Sequence, residues 1–169
     1  SATGFGKATH NCFKLVWLET KKVDESRTPD ILFIERCLDL LKPGGRMAIV
    51  LPDGILGNNG LEYVRQYILN NADIVAIIDC PVESFLPSTD TKTSLLILKK
   101  KKAEGLPQTF DTFMAIAKTC GHDRRGKEIY IRDNEGNPLV VDGNPVINND
   151  LVEITRRLID HVKVRNIYN

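Results

Sequence analysis

Four cysteines and three histidines have side chains that could bind zinc or act as nucleophiles, and their spacing argues against both uses. They are Cys12, Cys37, Cys80, Cys120, His10, His122 and His161. No two cysteines have the C-x-x-C spacing of a structural zinc site or a redox motif. Cys37 falls on an apolar helix face and Cys80 at a strand end, so we interpret both as small buried hydrophobic residues. We therefore expect reduced thiols, no metal and no catalytic cysteine.

Basic residues are the next candidates, because Lys and Arg bind phosphate groups. The formal net charge is only +1, which creates no overall field toward a polyanion, so a nucleic-acid contact has to come from a local cluster. Two clusters are present, a four-lysine run at 99–102 and a turn with Arg124, Arg125 and Lys127. We interpret the run as a solvated strand end. The turn is a candidate for nucleic-acid or subunit contact, with a plain surface turn as the alternative.

Length and composition place the chain among ordinary globular proteins. Its 169 residues suffice for one domain, and 42% hydrophobic with 27% charged residues excludes disorder, collagen and a coiled coil as the whole answer. The longest apolar runs, at 47–51, 74–78 and 95–98, are far shorter than the roughly 20 residues of a membrane-spanning helix. No basic-then-apolar leader opens the sequence, so we expect a cytoplasmic location.

A first helix and strand are predicted between residues 28 and 51. Thr28-Pro29-Asp30 provides a capping hydroxyl, a proline at the first helical position and an acid in the first turn. Pro43-Gly44-Gly45 ends this helix. Its buried stripe would be Ile31, Ile34, Leu38 and Leu41. The apolar run 47–51 predicts a strand that is covered on both faces, as in a parallel sheet.

The same plan repeats, which indicates an α/β fold. Asn59 is positioned to cap a second helix, with Glu62 three residues later as in a capping box. The buried stripe of this helix would be Leu61, Val64 and Ile68. A covered strand follows at 74–78, and a third strand is predicted at 93–99. Because the loop 81–92 is too short for a helical crossover, we expect this third strand to pair antiparallel.

The rest of the sequence predicts a β-rich appendage and a final helix. Two short strands, at 113–117 and 128–132, bracket the charged turn 121–126. Further turns are predicted at 134–136 and 142–144. Asp150 with Glu153 forms another capping box. The helix that it begins would bury Leu151, Ile154, Leu158 and Val162.

Several short strings carry a resemblance to a known family. L-L-K-P-G-G-R-M-A-I-V at 40–50 looks like the helix, tight turn and fifth strand of Rossmann-like S-adenosylmethionine-dependent methyltransferases. L-P-D-G-I-L at 51–56, L-E-Y-V-R at 61–65, S-F-L-P at 84–87 and T-K-T-S at 91–94 follow. In this order they resemble the N6-adenine DNA methylase family, and within it the modification subunit of type I restriction-modification systems. F-M-A at 113–115, G-H-D-R-R-G at 121–126 and Y-I-R-D at 130–133 are similar to the segment after the methylase sheet.

Two motifs of that family are missing from the sequence. The family binds its cofactor on a glycine-rich loop, and holds the target amino group with an Asn/Asp-Pro-Pro-aromatic motif whose acceptors and ring align a flipped adenine. Asn137-Pro138 and Asn144-Pro145 lack the second proline, and Gly4-Phe5-Gly6 has no strand ahead of it. The resemblance therefore implies the C-terminal half of a Rossmann-like methyltransferase sheet. We expect an entry segment at 1–29, this half-domain at 30–103, and the appendage with its terminal helix at 104–169.

Four residues are predicted to lie near the reaction site. Ligands of open α/β sheets bind beyond the carboxyl ends of strands, which favours Pro52 and Asp53 after the strand at 47–51. In the resembled enzymes the loop before the last strand forms part of the target-base pocket, so Phe85 is predicted to stack on an extruded base. The alternative is that Phe85 only packs in its loop. Lys92 is predicted to meet a DNA phosphate, or else to be merely solvated.

The resemblance implies transfer of a methyl group from S-adenosylmethionine to adenine N6 in DNA, within a type I restriction-modification system. Its partners would be DNA, a specificity subunit and a restriction subunit. Alone, this chain is expected to be inactive and not to bind the cofactor. A noncatalytic interaction module that docks a specificity subunit or a complementary methylase half is the alternative, and a small-molecule methyltransferase is a third. The strand at 47–51 would have an unpaired edge, which predicts self-association or cover by the apolar patch 13–18.

Overall fold

The computed structural model describes residues 29–102 and 111–164. The predicted entry segment up to residue 28, with its patch 13–18 and Gly4-Phe5-Gly6, lies outside the described residues. The helices are α1 (Pro29–Leu40), α2 (Asp53–Gly57), α3 (Glu62–Asn71) and α4 (Asp150–Val164), with 3-10 turns at Asn59–Leu61 and Val82–Phe85. The strands are β1 (Arg46–Pro52), β2 (Ala72–Asp79), β3 (Thr93–Lys100), β4 (Phe113–Ile116), β5 (Val140–Val141) and β6 (Asn144–Pro145).

Four of the strands form one sheet in the order β1-β3-β2-β4. Strand β4 runs parallel to β2, with Ala76 opposite Phe113. The N–H of Lys101, just after β3, donates to the carbonyl of Asn71, just before β2, at 2.9 Å. At the other end of the two strands, the N–H of Cys80 donates to the carbonyl of Thr93 at 3.0 Å. These bonds join the end of each strand to the start of the other, which confirms the antiparallel pairing predicted for β3.

The chain divides into two compact units, of which the first contains the described residues up to Val75 and those from Leu96 to Thr112. Its core is made of aliphatic side chains from α1, α2, α3 and the sheet: Ile31, Leu32, Ile34, Leu38, Leu51, Ile55, Val64, Ile68, Val75, Leu96 and Leu98. The stripe predicted for α1 is confirmed except at Leu41, which follows the last helical residue and is only partly buried. The second helix is capped differently from the prediction. The side chain of Asn58, not Asn59, accepts the N–H of Gly60 at 2.9 Å, because a 3-10 turn precedes α3.

Strand β1 is less buried than its apolar sequence predicted. Arg46, Ala48 and Val50 form an exposed row, while Met47 and Ile49 are half-buried. Among the described residues β1 has a neighbouring strand, β3, on one side only. The prediction of cover on both faces is therefore wrong for the described part of the chain, since an apolar run requires a covering element that the described residues do not supply.

The four-lysine run has a structural role that the sequence did not indicate. The Nζ of Lys100 donates to the carbonyls of Leu38 and Leu41 at 2.7 and 2.8 Å. The Nζ of Lys101 donates to the carbonyl of Leu69 at 2.6 Å. These carbonyls lie at the C-terminal ends of α1 and α3, where helix acceptors have no partner in the helix and the macrodipole favours a cation. A solvated strand end is thus the wrong description of Lys100 and Lys101.

The second unit contains Ala76–Leu95 and the described residues from Phe113 onward. The predicted strand at 113–117 is confirmed as β4. The strand predicted at 128–132 is wrong, since Glu128, Tyr130 and Arg132 each form only an isolated bridge, to three different segments. The predicted turns are confirmed, with positive φ at Gly136 and Gly143. In α4 the residues Ile154, Leu158 and Val162 are buried as predicted, whereas Leu151 is only partly buried.

The start of α4 is organised by a different residue from the one predicted. The N–H of Leu151 donates to the side chain of Asn149 at 2.9 Å. The Asp150 carboxylate instead accepts the N–H groups of Lys118 and Thr119 at 2.8 and 3.2 Å, and the bond from Lys118 lowers the pKa of Asp150. The predicted capping box is therefore wrong. Asp150 joins the helix to the segment after β4.

Candidate functional site

The loop 81–92 leaves the carboxyl end of β2 and is folded on itself. The N–H of Ser84 donates to the carbonyl of Pro81 at 3.0 Å, and the N–H of Thr89 donates to the carbonyl of Phe85 at 3.1 Å. Thr89 and Thr91 also pair through their hydroxyls at 2.9 Å. These local bonds give the loop a defined shape, so the residues on it are presented in fixed positions.

Phe85 is the last residue of the 3-10 turn, and its side chain is 40% exposed. A phenylalanine that only fills a core is normally buried far more completely. The exposed part of the ring is a flat apolar surface in the same loop as four exposed polar residues, 88–91. The arrangement leaves part of the ring available to an aromatic ligand.

Lys92 closes the loop at its base. Its ammonium pairs with the Asp79 carboxylate and donates to the carbonyl of Cys80 at 3.0 Å. Asp79 ends β2 and Lys92 precedes β3, so the pair fixes both ends of the loop. An ammonium has three donors, of which these contacts use two, and the side chain remains 40% exposed. Lys92 therefore has a positioning role that the sequence did not reveal.

Glu83 links the same loop to the charged turn at 121–126. Its carboxylate lies 3.4 Å from the Nε of Arg124. Neither Asp79 nor Glu83 was singled out from the sequence. Asp79 had a usable signal, since it is a carboxylate at the carboxyl end of a buried apolar strand. Glu83 had none, because its partner lies 41 positions away.

Pro52 and Asp53 lie in the first unit, at the junction of β1 and α2. Pro52 is the residue before the helix, with an extended backbone, and Asp53 is its half-buried first residue. Arg65 of α3 supports this segment, since its guanidinium donates to the carbonyls of Ile55 and Asn58 at 3.1 and 2.7 Å. The structure thus brings Phe85 and Lys92 together in one loop of the second unit, and Pro52 and Asp53 together in the first.

Cys120 and His122 are the two reactive side chains that the structure brings together. The Sγ of Cys120 lies 3.6 Å from the Nε2 of His122, whose Nδ1 lies 3.1 Å from the carbonyl of Asp123. Within residues 29–102 and 111–164 no group of three or more His, Cys, Asp or Glu side chains could hold a metal ion. Cys80 is buried as expected, whereas Cys37 and Cys120 are only partly buried.

Within residues 29–102 and 111–164 the sequence has no glycine-rich loop of the kind that binds S-adenosylmethionine. Such a cofactor needs a backbone that approaches it closely, which requires glycine where a side chain would collide. The glycines after β1 are Gly54 and Gly57, and a Cβ added to either would meet nothing within 4 Å. Both are single glycines with open space beside them, so they do not by themselves identify a cofactor site.

None of the helices in the described ranges combines the length and apolarity needed to cross a membrane.

Comparison with known proteins identifies the family. A sequence model of the N-6 DNA methylase family matches residues 7–140. The type I restriction enzyme EcoEI methylase subunit of Escherichia coli is 30% identical over 77 residues, which are 45% of this chain and 16% of that protein. This chain therefore spans less than a fifth of that curated relative.

Two solved structures have a similar fold. A Listeria monocytogenes protein described as a class I S-adenosylmethionine-dependent methyltransferase superposes with a TM-score of 0.51 and 26% identity, over 64% of this chain and 31% of that one. A Vibrio vulnificus protein described as the modification subunit of a type I restriction enzyme gives a TM-score of 0.50 at 22% identity, over 76% and 25% of the two chains, and supports the fold alone. Since the family model covers most of the sequence and the sheet is that of a methyltransferase, the chain belongs to the N-6 DNA methylase family.

Proposed function

We propose that this chain is part of a DNA adenine-N6 methyltransferase, the modification subunit of a type I restriction-modification system. The observation that carries the proposal is the family match over residues 7–140. The methyl donor would be S-adenosylmethionine and the acceptor adenine in DNA. The partners would be a specificity subunit and a restriction subunit in the cytoplasm. Residues 30–103 would form the C-terminal half of the methyltransferase domain and 104–169 its appendage.

Within this function the loop 81–92 would form one wall of the target-base pocket. The half-exposed ring of Phe85 supports a stacking role, because an extruded base exchanges its neighbours in the duplex for a flat apolar surface. Lys92 would act mainly by holding the loop through Asp79, with its remaining donor free for a phosphate oxygen. Pro52 and Asp53, in the first unit, would contact the substrate in their own right, because they lie at the carboxyl end of β1.

The isolated chain would be inactive. The motif that aligns adenine N6 is missing from the sequence, and misalignment of the reacting atoms costs several orders of magnitude in rate. The exposed Ala48 and Val50 of β1 also support the second candidate function, a module that docks a complementary methylase half, since exposed apolar side chains on a sheet suit a covering partner. In that reading the chain contributes structure to the assembly and no base contact.

Replacing Phe85 with alanine tests the proposed role. In a complete methylase subunit that carries this sequence, Phe85→Ala is expected to remove a stacking contact of about 1 to 3 kcal/mol, which is a loss of roughly 5- to 150-fold. The loss would be measured as N6-methyladenine formed in DNA and as affinity for DNA containing a flipped-out analogue. Cofactor affinity and melting temperature would stay close to those of the unmodified subunit.

Phe33→Ala in α1 is the matched control, because Phe33 is an exposed phenylalanine outside the loop. It should leave methylation unchanged. A packing role predicts the opposite pattern for Phe85→Ala, with a stability loss approaching the about 3 to 5 kcal/mol of a truncated buried phenylalanine and normal turnover in the folded fraction. Absence of any N6-methyladenine with the unmodified subunit would refute the proposed activity itself.

A further inference from the structure

Two turns of the second unit have the same backbone geometry. We name them the basic turn (123–127, Asp-Arg-Arg-Gly-Lys) and the acidic turn (133–137, Asp-Asn-Glu-Gly-Asn). In each, the glycine N–H donates to the carbonyl of the aspartate, at 3.0 Å in the basic turn and 3.1 Å in the acidic turn. The aspartate N–H in turn donates to the carbonyl of the last residue, at 2.8 and 2.9 Å. Both glycines have positive φ, 79° and 88°.

The aspartate side chains complete both turns in the same way. In the basic turn Oδ1 accepts the N–H groups of the third and fifth residues at 2.8 and 2.9 Å. In the acidic turn the two corresponding bonds are both 2.9 Å. In the basic turn the bonds from Lys127 and Arg125 lower the pKa of Asp123. The scaffold therefore consists of the aspartate, the glycine and backbone groups, and it makes no use of the other side chains.

The two turns differ in their charge. The basic turn has three cations and one carboxylate, a formal charge of 3 − 1 = +2, while the acidic turn has two carboxylates and no cation, a charge of −2. Because the acidic turn forms the same scaffold with Asn, Glu and Asn, the fold does not require Arg124, Arg125 and Lys127. Their presence calls for another explanation, and a ligand with negative charge is the one that their chemistry suits.

The cations of the basic turn are accessible. Arg125 and Lys127 are exposed, and among the described residues their side chains have no hydrogen bond or ion pair. Arg124 has a single long contact, with Glu83 at 3.4 Å, and its side chain is 77% exposed. The carboxylate of Asp123 is directed at backbone N–H groups, so it competes only partly for the arginines. Three cationic side chains are thus carried by one hydrogen-bonded turn.

The position of the basic turn relates it to the proposed base-binding loop. Glu83, the partner of Arg124, lies in the 3-10 turn that ends at Phe85. Cations beside a residue that receives an extruded base would face the phosphates that flank that base, because the backbone must bend there when a nucleotide leaves the stack. The acidic turn has no described contact with that loop.

We propose that the basic turn binds phosphate groups of the DNA backbone next to the target base. This inference rests on the proposed function for the identity of the ligand, and it adds the residues that position DNA. Arg124, Arg125 and Lys127 bind charge and shape, so they contribute affinity and register without reading sequence. Glu83 holds Arg124 toward the loop when DNA is absent.

The acidic turn supplies the substitutions for the test. Arg124→Asn, Arg125→Glu and Lys127→Asn convert the basic turn into the sequence of the acidic turn, which the chain already folds. Binding of the full chain to short duplex DNA is measured by fluorescence anisotropy over a salt series. At about 0.1 M salt the triple variant is expected to lose ~10-fold or more in affinity, and the slope of log K against log salt should become less steep by about 2 to 3.

A second variant separates position from charge. It adds Asn134→Arg, Glu135→Arg and Asn137→Lys to the first three changes, so that the two turns are exchanged and the composition equals that of the natural chain. This variant should bind DNA as weakly as the triple variant. Affinity restored to that of the natural chain would overturn the proposal, as would a triple variant with unchanged affinity and salt slope, or a natural chain that binds no DNA. Unchanged DNA affinity with weakened binding to the specificity subunit would instead assign the turn to protein contact.

These outcomes are distinct from failure of the proposed function, because the binding assay needs neither cofactor nor methyl transfer. A chain that binds DNA through the basic turn, within a subunit that forms no N6-methyladenine, would refute only the activity. Methylation with an unaffected triple variant would refute only the role of the turn.

Discussion

Strands β1 and β2 have similar sequences and very different surroundings. Both contain an unbroken apolar run, 47–51 and 74–78. In β2 the residues Ala72, Val75, Ala76 and Ile78 are all buried, and the strand lies between β3 and β4. In β1 only Leu51 is buried, and Val50 is 45% exposed. An apolar run therefore indicates that a strand is to be covered, and it says nothing about which part of the protein covers it.

The difference suits a chain that contains half of a sheet. Strand β2 has its neighbours within the described residues, so most of its apolar side chains are buried and Ile74 and Ile77 are half-buried. Strand β1 would receive its second neighbour, and the cover for its exposed row, from the other half of a methylase domain. Strand β1 is then either an unfinished strand of the core or an ordinary edge strand, and stability, association and cofactor binding distinguish the two.

The largest expected difference between β1 and β2 is in how much a truncated side chain lowers the free energy of unfolding. Ile78→Ala removes a side chain that is only 4% exposed and is expected to lower the free energy of unfolding by about 2 to 5 kcal/mol. Ile49→Ala, the matched change in β1, is expected to cost about 1 kcal/mol, because the side chain is half-buried and less apolar area is lost. Urea unfolding of the purified chain measures both. Equal losses would show that β1 is already part of a finished core.

Association should show an intermediate effect. Among the described residues β1 has a strand on one side only, which predicts self-association that grows with concentration, and a lysine on this strand should suppress it. Val50→Lys is expected to shift the chain to monomer in sedimentation velocity. Ile159→Lys in α4 is the control, since Ile159 is 46% exposed but is not on a strand.

Cover of β1 within its own chain would give a different result, a monomer whose β1 amides are protected from hydrogen exchange. A monomer with freely exchanging amides at 47–51 and no tendency to aggregate would contradict both forms of the prediction.

Cofactor binding should show the smallest signal. If the part that would cover β1 also carries the glycine-rich loop, the chain alone should give no saturable heat with S-adenosylmethionine in calorimetry. A complete subunit carrying this sequence serves as the positive control. Saturable binding by the chain with a dissociation constant near ~10 μM, about 7 kcal/mol, would show that this half already holds the cofactor.

The sequence predicted the elements well and their junctions poorly. The stripes of α1 and α4 and the strand β4 depend on local periodicity, which is present in the residues themselves. The caps at Asn58 and Asn149 were each missed by one position, because a cap depends on where the first turn begins and a preceding 3-10 turn or a distant acceptor moves it. For the candidate site, the sequence placed Phe85 and Lys92 correctly in the loop 81–92. The Asp79–Lys92 and Glu83–Arg124 pairs were not, since each depends on tertiary packing.

Lys100 and Lys101 show how misleading the density of basic residues can be as a guide to where a polyanion binds. The run at 99–102 is the most basic stretch of the sequence, yet the ammonium groups of Lys100 and Lys101 are directed at helix carbonyls. Acetylation of Lys100 would remove its charge and two of its three donors, and so would loosen the end of α1 rather than weaken a hold on DNA. Charge-based maps of this family should therefore weight each lysine by whether its head group already has an acceptor in the protein.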